Sequence, residues 1–254
     1  MVEKHIVKGF DADIDSIKSH INKMSGLVES QLSYCYQALS ERNSVLAVKV
    51  IERDKQIDSL YQELLDLAVK LFALRQPFAN DLRYVISSIK IASDIERIGD
   101  QTKNIAKASV WLSKLPQNQT VLSVDNLFEL INTNFRKVGN SFNDEDSIKA
   151  KRIWLKDAEV NKLYDILFRE TLTYMLEDPR NIASCSQIVA IAKNLERIGD
   201  HTQNIAEMIY YYVTGTHIEK KISADEYKNY KKNKKYKTNI SNIFKKAKLI
   251  AKKK

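Results

Sequence analysis

The sequence is poor in the residues that interrupt helices. It contains only 3 prolines and 6 glycines among 254 residues, whereas Leu, Ile, Ala, Lys and Glu are abundant. Because glycine and proline are the residues least compatible with a helix interior, their scarcity predicts an all-α protein. The 44% of hydrophobic residues is enough to build a core.

Cysteines and long apolar runs are also scarce. Cys35 and Cys185 lie 150 residues apart, so they indicate neither a disulfide framework nor a thiolate metal site, and they fit a reducing cytosol. No apolar run approaches the ~20 residues of a membrane-spanning helix, and the N-terminus lacks the apolar stretch of a signal peptide. We therefore expect a soluble, cytoplasmic protein.

Signs of catalysis are missing too. The sequence has no glycine-rich phosphate loop, and its four histidines, at positions 5, 20, 201 and 217, form no cluster. No serine or cysteine has an evident base beside it. We expect a protein that is not an enzyme.

The net positive charge of the chain comes from its C-terminal segment. Residues 219–254 contain 14 Lys and 3 acids, giving +11, so the net charge of +9 for the whole chain leaves −2 for the other 218 residues. This tail is expected to be disordered or to form a short basic amphipathic helix. If it binds a partner, an anionic membrane surface is favoured over specific nucleic acid, because the tail has no arginine for reading bases.

The most informative feature is a segment that occurs twice. Residues 96–106 read Glu-Arg-Ile-Gly-Asp-Gln-Thr-Lys-Asn-Ile-Ala, and residues 196–206 read Glu-Arg-Ile-Gly-Asp-His-Thr-Gln-Asn-Ile-Ala. Nine of the eleven positions are identical at a spacing of 100 residues, which indicates a duplicated unit. Each copy places a Glu and an Asp on one helix face, as Glu96 with Asp100 and Glu196 with Asp200. Such acids repel each other, and a bound cation would explain their retention.

The preceding helix of each half supplies a second polar pair at matching positions. Asp54 and Asp58 align with Asp157 and Asn161 at a spacing of 103. Antiparallel packing would join these pairs to the doubled segment, giving two candidate cation sites: Asp54, Asp58, Glu96 and Asp100 in the first half, and Asp157, Asn161, Glu196 and Asp200 in the second. Asn104 and Asn204, one turn further on, are possible ligands or orienting groups. Oxygen ligands of this kind suit Mg²⁺, Mn²⁺, Ca²⁺ or iron.

Two simpler interpretations stay open. Paired acids on a helix are usually only solvated. Glu96 and Glu196 could pair with a nearby Arg or Lys instead of a metal ion. Gly99 and Gly199 each cost about 1 kcal/mol in a helix interior relative to alanine. Their presence suggests that a neighbouring helix approaches the backbone closely there.

Apolar periodicity and turn residues predict six long helices. Their approximate ranges are 10–42, 44–75, 78–113, 121–142, 146–176 and 180–213, with Ser44 and Asp178 as N-caps and with Pro77 and Pro179 in first helical turns. The fold class is therefore two tandem, similar, antiparallel three-helix bundles. We predict domains at 1–116 and 117–218, followed by the tail at 219–254.

These motifs resemble the PhoU family. The doubled segment carries the resemblance, together with Phe10-Asp11 near the start and the run Gln76-Pro77-Phe78-Ala79-Asn80-Asp81-Leu82-Arg83. The resemblance covers residues 5 to about 215 and leaves out the tail. It implies a phosphate-signalling regulator, often dimeric, that links the ATPase subunit of a high-affinity phosphate transporter to a sensor histidine kinase. Such a protein holds the phosphate-starvation response and phosphate uptake down when phosphate is plentiful.

The family's acidic motifs bind metal ions. Carried over, the metal ligands fall on Asp54, Asp58, Glu96, Asp100, Asp157, Glu196 and Asp200. Asn161 departs from the family pattern, so we expect the second half to bind fewer or weaker ions than the first. Two other functions remain as alternatives: a metal-dependent phosphate-handling enzyme, and a protein that binds nucleic acid or a membrane surface through its tail.

Overall fold

The computed structural model describes residues 8–115 and 124–219. Within these residues the chain forms seven α-helices and a short 3₁₀ turn. They are α1 (Lys8–Ser40), α2 (Ser44–Arg75), α3 (Asn80–Leu112), α4 (Val124–Asp144), α5 (Ser147–Trp154), α6 (Asp157–Glu177), the 3₁₀ turn (Pro179–Asn181) and α7 (Ile182–Thr214).

The described helices form the two predicted three-helix bundles. Helices α1, α2 and α3 pack against one another, and so do α4, α7 and the pair α5 and α6, which takes the place of one long helix. No strand occurs in residues 8–115 or 124–219. The predicted fold class is therefore confirmed.

The two bundles share one hydrophobic core. Helix α3 packs along α7 in the antiparallel direction, because Tyr84 near the start of α3 contacts Tyr212 near the end of α7, whereas Asp94 in mid-helix reaches His201. Helices α1 and α4 also meet, with the rings of Tyr36 and Phe128 5.3 Å apart. A single cluster of buried apolar side chains therefore runs through both halves.

Helix ends agree with the predicted turns and differ in detail. Asn43, and not Ser44, is the N-cap of α2, since its Oδ1 accepts a hydrogen bond from the backbone N–H of Leu46 at 3.0 Å. Pro77 lies in the connection before α3, which begins at Asn80. Asp178 does act as a cap, but it caps the 3₁₀ turn that Pro179 begins, because its Oδ1 accepts from the backbone N–H of Arg180 at 2.9 Å.

The fifth predicted helix is interrupted at Leu155 and Lys156, so that α6 begins at Asp157. An interruption leaves carbonyl groups without their helical partners. Here the side-chain amide of Gln203 on α7 donates to the backbone carbonyl of Trp154 at 3.0 Å. A contact from another helix thus stabilises a break that local sequence did not reveal.

The two glycines of the doubled segment lie where neighbouring helices come closest. A Cβ atom on Gly99 would lie 3.1 Å from Ile57 Cδ1 and 3.2 Å from Asp54 Oδ1, and one on Gly199 would lie 3.0 Å from Val160 Cγ1. These distances are shorter than ordinary van der Waals contact. The predicted close helix approach is confirmed at both positions.

The contacts of the chain divide it into two compact units, Met1–His217 and Ile218–Lys254. In the second unit the structure describes only Ile218 and Glu219, which have no regular secondary structure. The rest of the predicted basic tail lies outside the described residues. Among the described helices, none is both long enough and apolar enough to cross a membrane.

Replacing Gly99 by alanine should destabilise the protein, and Gly26 provides the matched control. Both glycines lie inside helices, but a Cβ on Gly26 would meet nothing within 4 Å. We expect Gly26→Ala to raise the free energy of unfolding by about 0.5–1 kcal/mol through helix propensity. Gly99→Ala should lose this gain to overpacking, which costs about 1–3 kcal/mol. Chemical denaturation measures both, and equal stabilisation by the two substitutions would contradict the close approach.

Candidate cation-binding site

The first candidate site lies where α2 passes over Gly99 of α3. Asp54 is buried, with only 2% of its surface exposed, whereas Asp58 one turn later is exposed. On α3, Glu96 and Asp100 are partly exposed. The electrostatic coupling of Glu96 to Asp54, Asp58 and Asp100 places all four predicted carboxylates in one neighbourhood. We refer to these four residues as the first carboxylate cluster.

A lysine from the doubled segment lies inside this cluster. The ammonium group of Lys103 donates hydrogen bonds to Asp54 Oδ2 and Asp100 Oδ1, so it bridges α2 and α3. The side chain of Lys103 is 24% exposed and that of Asp54 is 3% exposed. Burial by itself would lower the pKa of Lys103, but its hydrogen bonds to Asp100 and Asp54 raise the pKa above its ordinary value. Lys103 therefore stays charged at physiological pH.

The remaining two carboxylates keep unbalanced negative charge. Partial burial raises the pKa of Glu96, and the charges of Asp100, Asp58 and Asp54 raise it further, while Arg97 partly offsets them. Partial burial and the neighbouring Asp54 likewise raise the pKa of Asp58, although its side chain remains exposed and Lys103 acts in the opposite direction. Lys103 and Arg97 offset only part of the charge of four carboxylates, and the remaining negative charge favours a cation.

A buried amide borders the cluster on its inner side. The side-chain NH₂ of Gln31 on α1 donates to the backbone carbonyl of Val50 at 3.3 Å and to Asp54 Oδ1 at 3.4 Å. Gln31 is 2% exposed, and its Oε1 has no hydrogen-bond partner in the described part of the chain. A buried acceptor without a partner is costly and attracts a water molecule or a cation.

The second half is arranged differently. Glu196 bonds to Lys193 one turn earlier on α7, which is one of the ion pairs that the sequence left open. Asp200 is exposed and takes part in other contacts. Asp157 is the first residue of α6, and its side chain lies outside the described residues. The structure therefore places Glu196 and Asp200 on one helix without showing how Asp157 relates to them.

The three asparagines that were possible ligands are all exposed. Asn204 donates to Asp94 Oδ1 at 3.4 Å, so it contacts α3 of the other half. Asn161 takes part in other interactions, and Asn104 lies one turn beyond Asp100 on α3. The contact of Asn204 with Asp94 joins the two bundles.

The chemistry of the donors fits a hard cation only in part. Carboxylate oxygens and an amide oxygen are suitable ligands. However, in the part of the chain that the structure describes, no three His, Cys, Asp or Glu side chains converge closely enough to hold an ion as they stand. In the first cluster, Asp54 and Asp100 instead face the ammonium group of Lys103. The metal ligands that the sequence indicated stay predictions.

Sequence reasoning missed the roles of Lys103, Gln31 and the pair Asp94–His201. His201 Nδ1 lies 2.8 Å from Asp94 Oδ1, across the contact between α3 and α7. The signal for two of these residues was present, because positions 101/201 and 103/203 are the two at which the doubled segment differs. A difference within an otherwise identical repeat indicates a position at which the two halves make different contacts.

Comparison with known proteins identifies both halves. The family model of the PhoU domain matches residues 21–109 and 124–209. Each match includes one copy of the doubled segment. The family resemblance noted from the sequence is confirmed.

Relatives match over most of their length. The phosphate-specific transport system accessory protein PhoU homolog of Caulobacter vibrioides is 38% identical, and the match covers 84% of this chain and 93% of that protein. The homolog of the same name from Zymomonas mobilis is 41% identical over 83% of this chain and 89% of its own length.

Solved structures agree with this fold. The crystal structure of PhoU from Pseudomonas aeruginosa has a TM-score of 0.79 at 35% identity and covers 82% of this chain and 100% of that chain. The crystal structure of the phosphate transport system regulatory protein PhoU from Streptococcus pneumoniae has a TM-score of 0.77 at 26% identity. It covers 83% of this chain and 100% of that chain.

Repulsion in the first cluster predicts that Glu96→Gln stabilises the metal-free protein at pH 7. A carboxyl group with a raised pKa in the folded state binds more protons there than in the unfolded state. Stability therefore falls as the pH rises from the ordinary pKa of Glu to the raised pKa of Glu96. The substitution removes this loss, so we expect a higher Tm at pH 7 in chelator and low salt.

The difference should shrink in high salt and vanish below about pH 4, where the carboxyl is already neutral. Glu129→Gln is the control, since Glu129 is exposed on α4, away from the cluster. A Glu96→Gln protein that is less stable than wild type at pH 7 without metal would show that the cluster holds no excess charge.

Proposed function

Because the chain belongs to the PhoU family, we propose that it is an accessory protein of a phosphate transport system that regulates uptake and signalling. The observation that carries this proposal is the match of both bundles to the family domain, with relatives of the same name over most of their length. We propose a binding role and not a catalytic one, carried out in the cytoplasm.

The finer proposal is that the protein is an adaptor between two partners. One partner is the ATPase subunit of the phosphate transporter, and the other is a sensor histidine kinase of the phosphate-starvation response, which the protein holds inactive when phosphate is plentiful. A homodimer would present each binding surface twice.

The positions of exposed apolar side chains support a protein with two contact surfaces. Phe78 is 85% exposed in the connection between α2 and α3, and Leu176 is 86% exposed at the end of α6. Since α3 and α7 are antiparallel, these two connections lie at opposite ends of the α3–α7 pair. Contiguous exposed apolar patches mark protein interaction sites. Exposed apolar residues flank both positions in the sequence, Leu74 and Leu82 around Phe78 and Leu172 and Ile182 around Leu176.

The experiment is a pulldown with the transporter ATPase and with the sensor kinase, at high and at low phosphate. We expect both partners to bind and at least one of them to bind in a phosphate-dependent way. Phe78→Asp and Leu176→Asp should each weaken binding to a different partner, whereas the exposed-site control Lys107→Gln should weaken neither. Binding to neither partner by the wild-type protein would overturn the adaptor proposal.

We extend the proposal to cation binding at the carboxylates of each half, with Mg²⁺, Mn²⁺, Ca²⁺ or iron as the ion. The support is the excess negative charge around Glu96 and Asp58 and the oxygen-only donor set. A bound ion would tie α2 to α3 and so influence the surface that the bundle offers to a partner.

Removing two carboxylates of the first cluster tests the cation proposal. The double variant Glu96→Ala with Asp100→Ala should lose the Mn²⁺ bound by the first half while its circular dichroism stays close to wild type. Asp66→Ala with Glu129→Ala is the matched control, because it removes two exposed acids elsewhere. If wild-type protein binds no Mn²⁺ or Mg²⁺ and neither ion changes its Tm, the cation proposal fails.

A further inference from the structure

The two copies of the doubled segment differ in charge at one position, three residues after Asp100 in the first half and three after Asp200 in the second. Lys103 occupies this position in the first half, and Gln203 occupies it in the second. Lys103 bonds to Asp54 and Asp100, whereas Gln203 turns to the backbone carbonyl of Trp154, at the end of α5. Equivalent positions in the repeat therefore have different partners.

We infer that Lys103 is a built-in cation that competes with a metal ion for the first carboxylate cluster. This inference rests on the cation binding proposed above and determines its strength. Because four carboxylates attract a divalent ion more strongly than three, composition alone predicts that the first half binds metal better. Lys103 opposes this expectation, since an ion can reach Asp54 and Asp100 together only by displacing the ammonium group.

The burial of Asp54 explains why a tethered cation is placed here. A carboxylate that is almost fully removed from water needs a positive partner to remain ionised. Lys103 supplies that partner whenever no ion is bound, so the contact between α2 and α3 does not depend on a metal ion. The NH₂ group of Gln31 supports Asp54 from the other side but carries no charge.

The consequence is an exchange between two states of one helix contact. With Lys103 in place, α2 and α3 are joined by an ammonium group. With a metal ion bound, Lys103 is released toward solvent, which its partial exposure permits. Occupancy of the first cluster then depends on the concentration of free divalent ions and not only on the ligand set.

The test compares Lys103→Gln with Lys107→Gln by titration with Mn²⁺. Lys103→Gln gives the first half the residue of the second, and Lys107→Gln removes the same charge one turn further along α3, where Lys107 is exposed. We expect the first-half affinity for Mn²⁺ to rise about tenfold or more in Lys103→Gln and to stay unchanged in Lys107→Gln. Adding Glu96→Ala with Asp100→Ala should abolish the gain, which locates it in the first cluster.

Stability gives a second readout. In chelator, Lys103→Gln should lower the Tm, because Asp54 is left buried without a cation, and Mn²⁺ should restore the Tm. In the wild-type protein the same ion should shift the Tm less. If Lys103→Gln does not fold, the comparison is repeated in a protein that also carries Asp54→Asn, which removes the buried charge. The double variant Asp54→Asn with Lys103→Gln should then bind Mn²⁺ more tightly than Asp54→Asn alone.

The outcomes separate the two proposals. If wild type binds Mn²⁺ through Glu96 and Asp100 with the same affinity as Lys103→Gln, the competing role of Lys103 is wrong while cation binding stands. If neither protein binds Mn²⁺ or Mg²⁺, both proposals are wrong. If Mn²⁺ does not restore the Tm of Lys103→Gln although it binds there, Lys103 is a structural partner of Asp54 and not a substitute for the ion.

Discussion

The structure of the first half depends on the charge of one buried carboxylate. Asp54 is almost completely removed from water in the middle of α2, and an isolated ionised carboxylate in such a place would be very unfavourable. The chain meets this requirement with Lys103 from α3 and the amide of Gln31 from α1. All three helices of the bundle therefore contribute to one polar contact around the buried carboxylate. The same contact determines the electrostatic environment of Asp58 and Glu96, because the charges of Asp54 and Asp100 act on both.

The glycines of the doubled segment make this contact possible. Gly99 lets α2 approach α3 so closely that Asp54 lies beside the α3 backbone, and Gly199 does the same for Val160 in the second half. The duplication has thus kept the close helix approach in both halves. In the first half this approach places a buried carboxylate, bound by Lys103, beside the α3 backbone. Where the first half has the unbroken helix α2, the second has α5 and α6, with Gln203 compensating the break.

The candidate sites are not independent of the junction between the halves. Helix α3 carries Glu96 and Asp100, α7 carries Glu196 and Asp200, and these two helices pack together through Asp94 with His201 and Asn204. Any ion or partner that shifts α3 relative to α2 therefore acts on the helix that also contacts α7. A shared hydrophobic core extends this coupling along the whole pair. Such an arrangement suits a protein that is proposed to relay the state of one partner to another.

Sequence alone determined the helical class, the duplication and the approximate helix limits, because these follow from local periodicity, turn residues and direct repetition. The matched polar pairs of the repeat also indicated that Asp54, Asp58, Glu96 and Asp100 lie near one another, since antiparallel neighbouring helices can bring such pairs together. Whether these side chains hold a metal ion stays a prediction.

Only the tertiary structure decided which group neutralises Asp54, why the fifth predicted helix breaks at Leu155, and how His201 joins the halves. Each of these depends on a side chain that reaches from one helix to another, over 49 to 107 positions of sequence. Local pattern cannot reveal such contacts, because propensity and periodicity describe a helix and its face but not the neighbour that a long side chain finds. The doubled segment differs between its copies at positions 101/201 and 103/203, and only the structure shows that Lys103 binds Asp54 while Gln203 binds the Trp154 carbonyl.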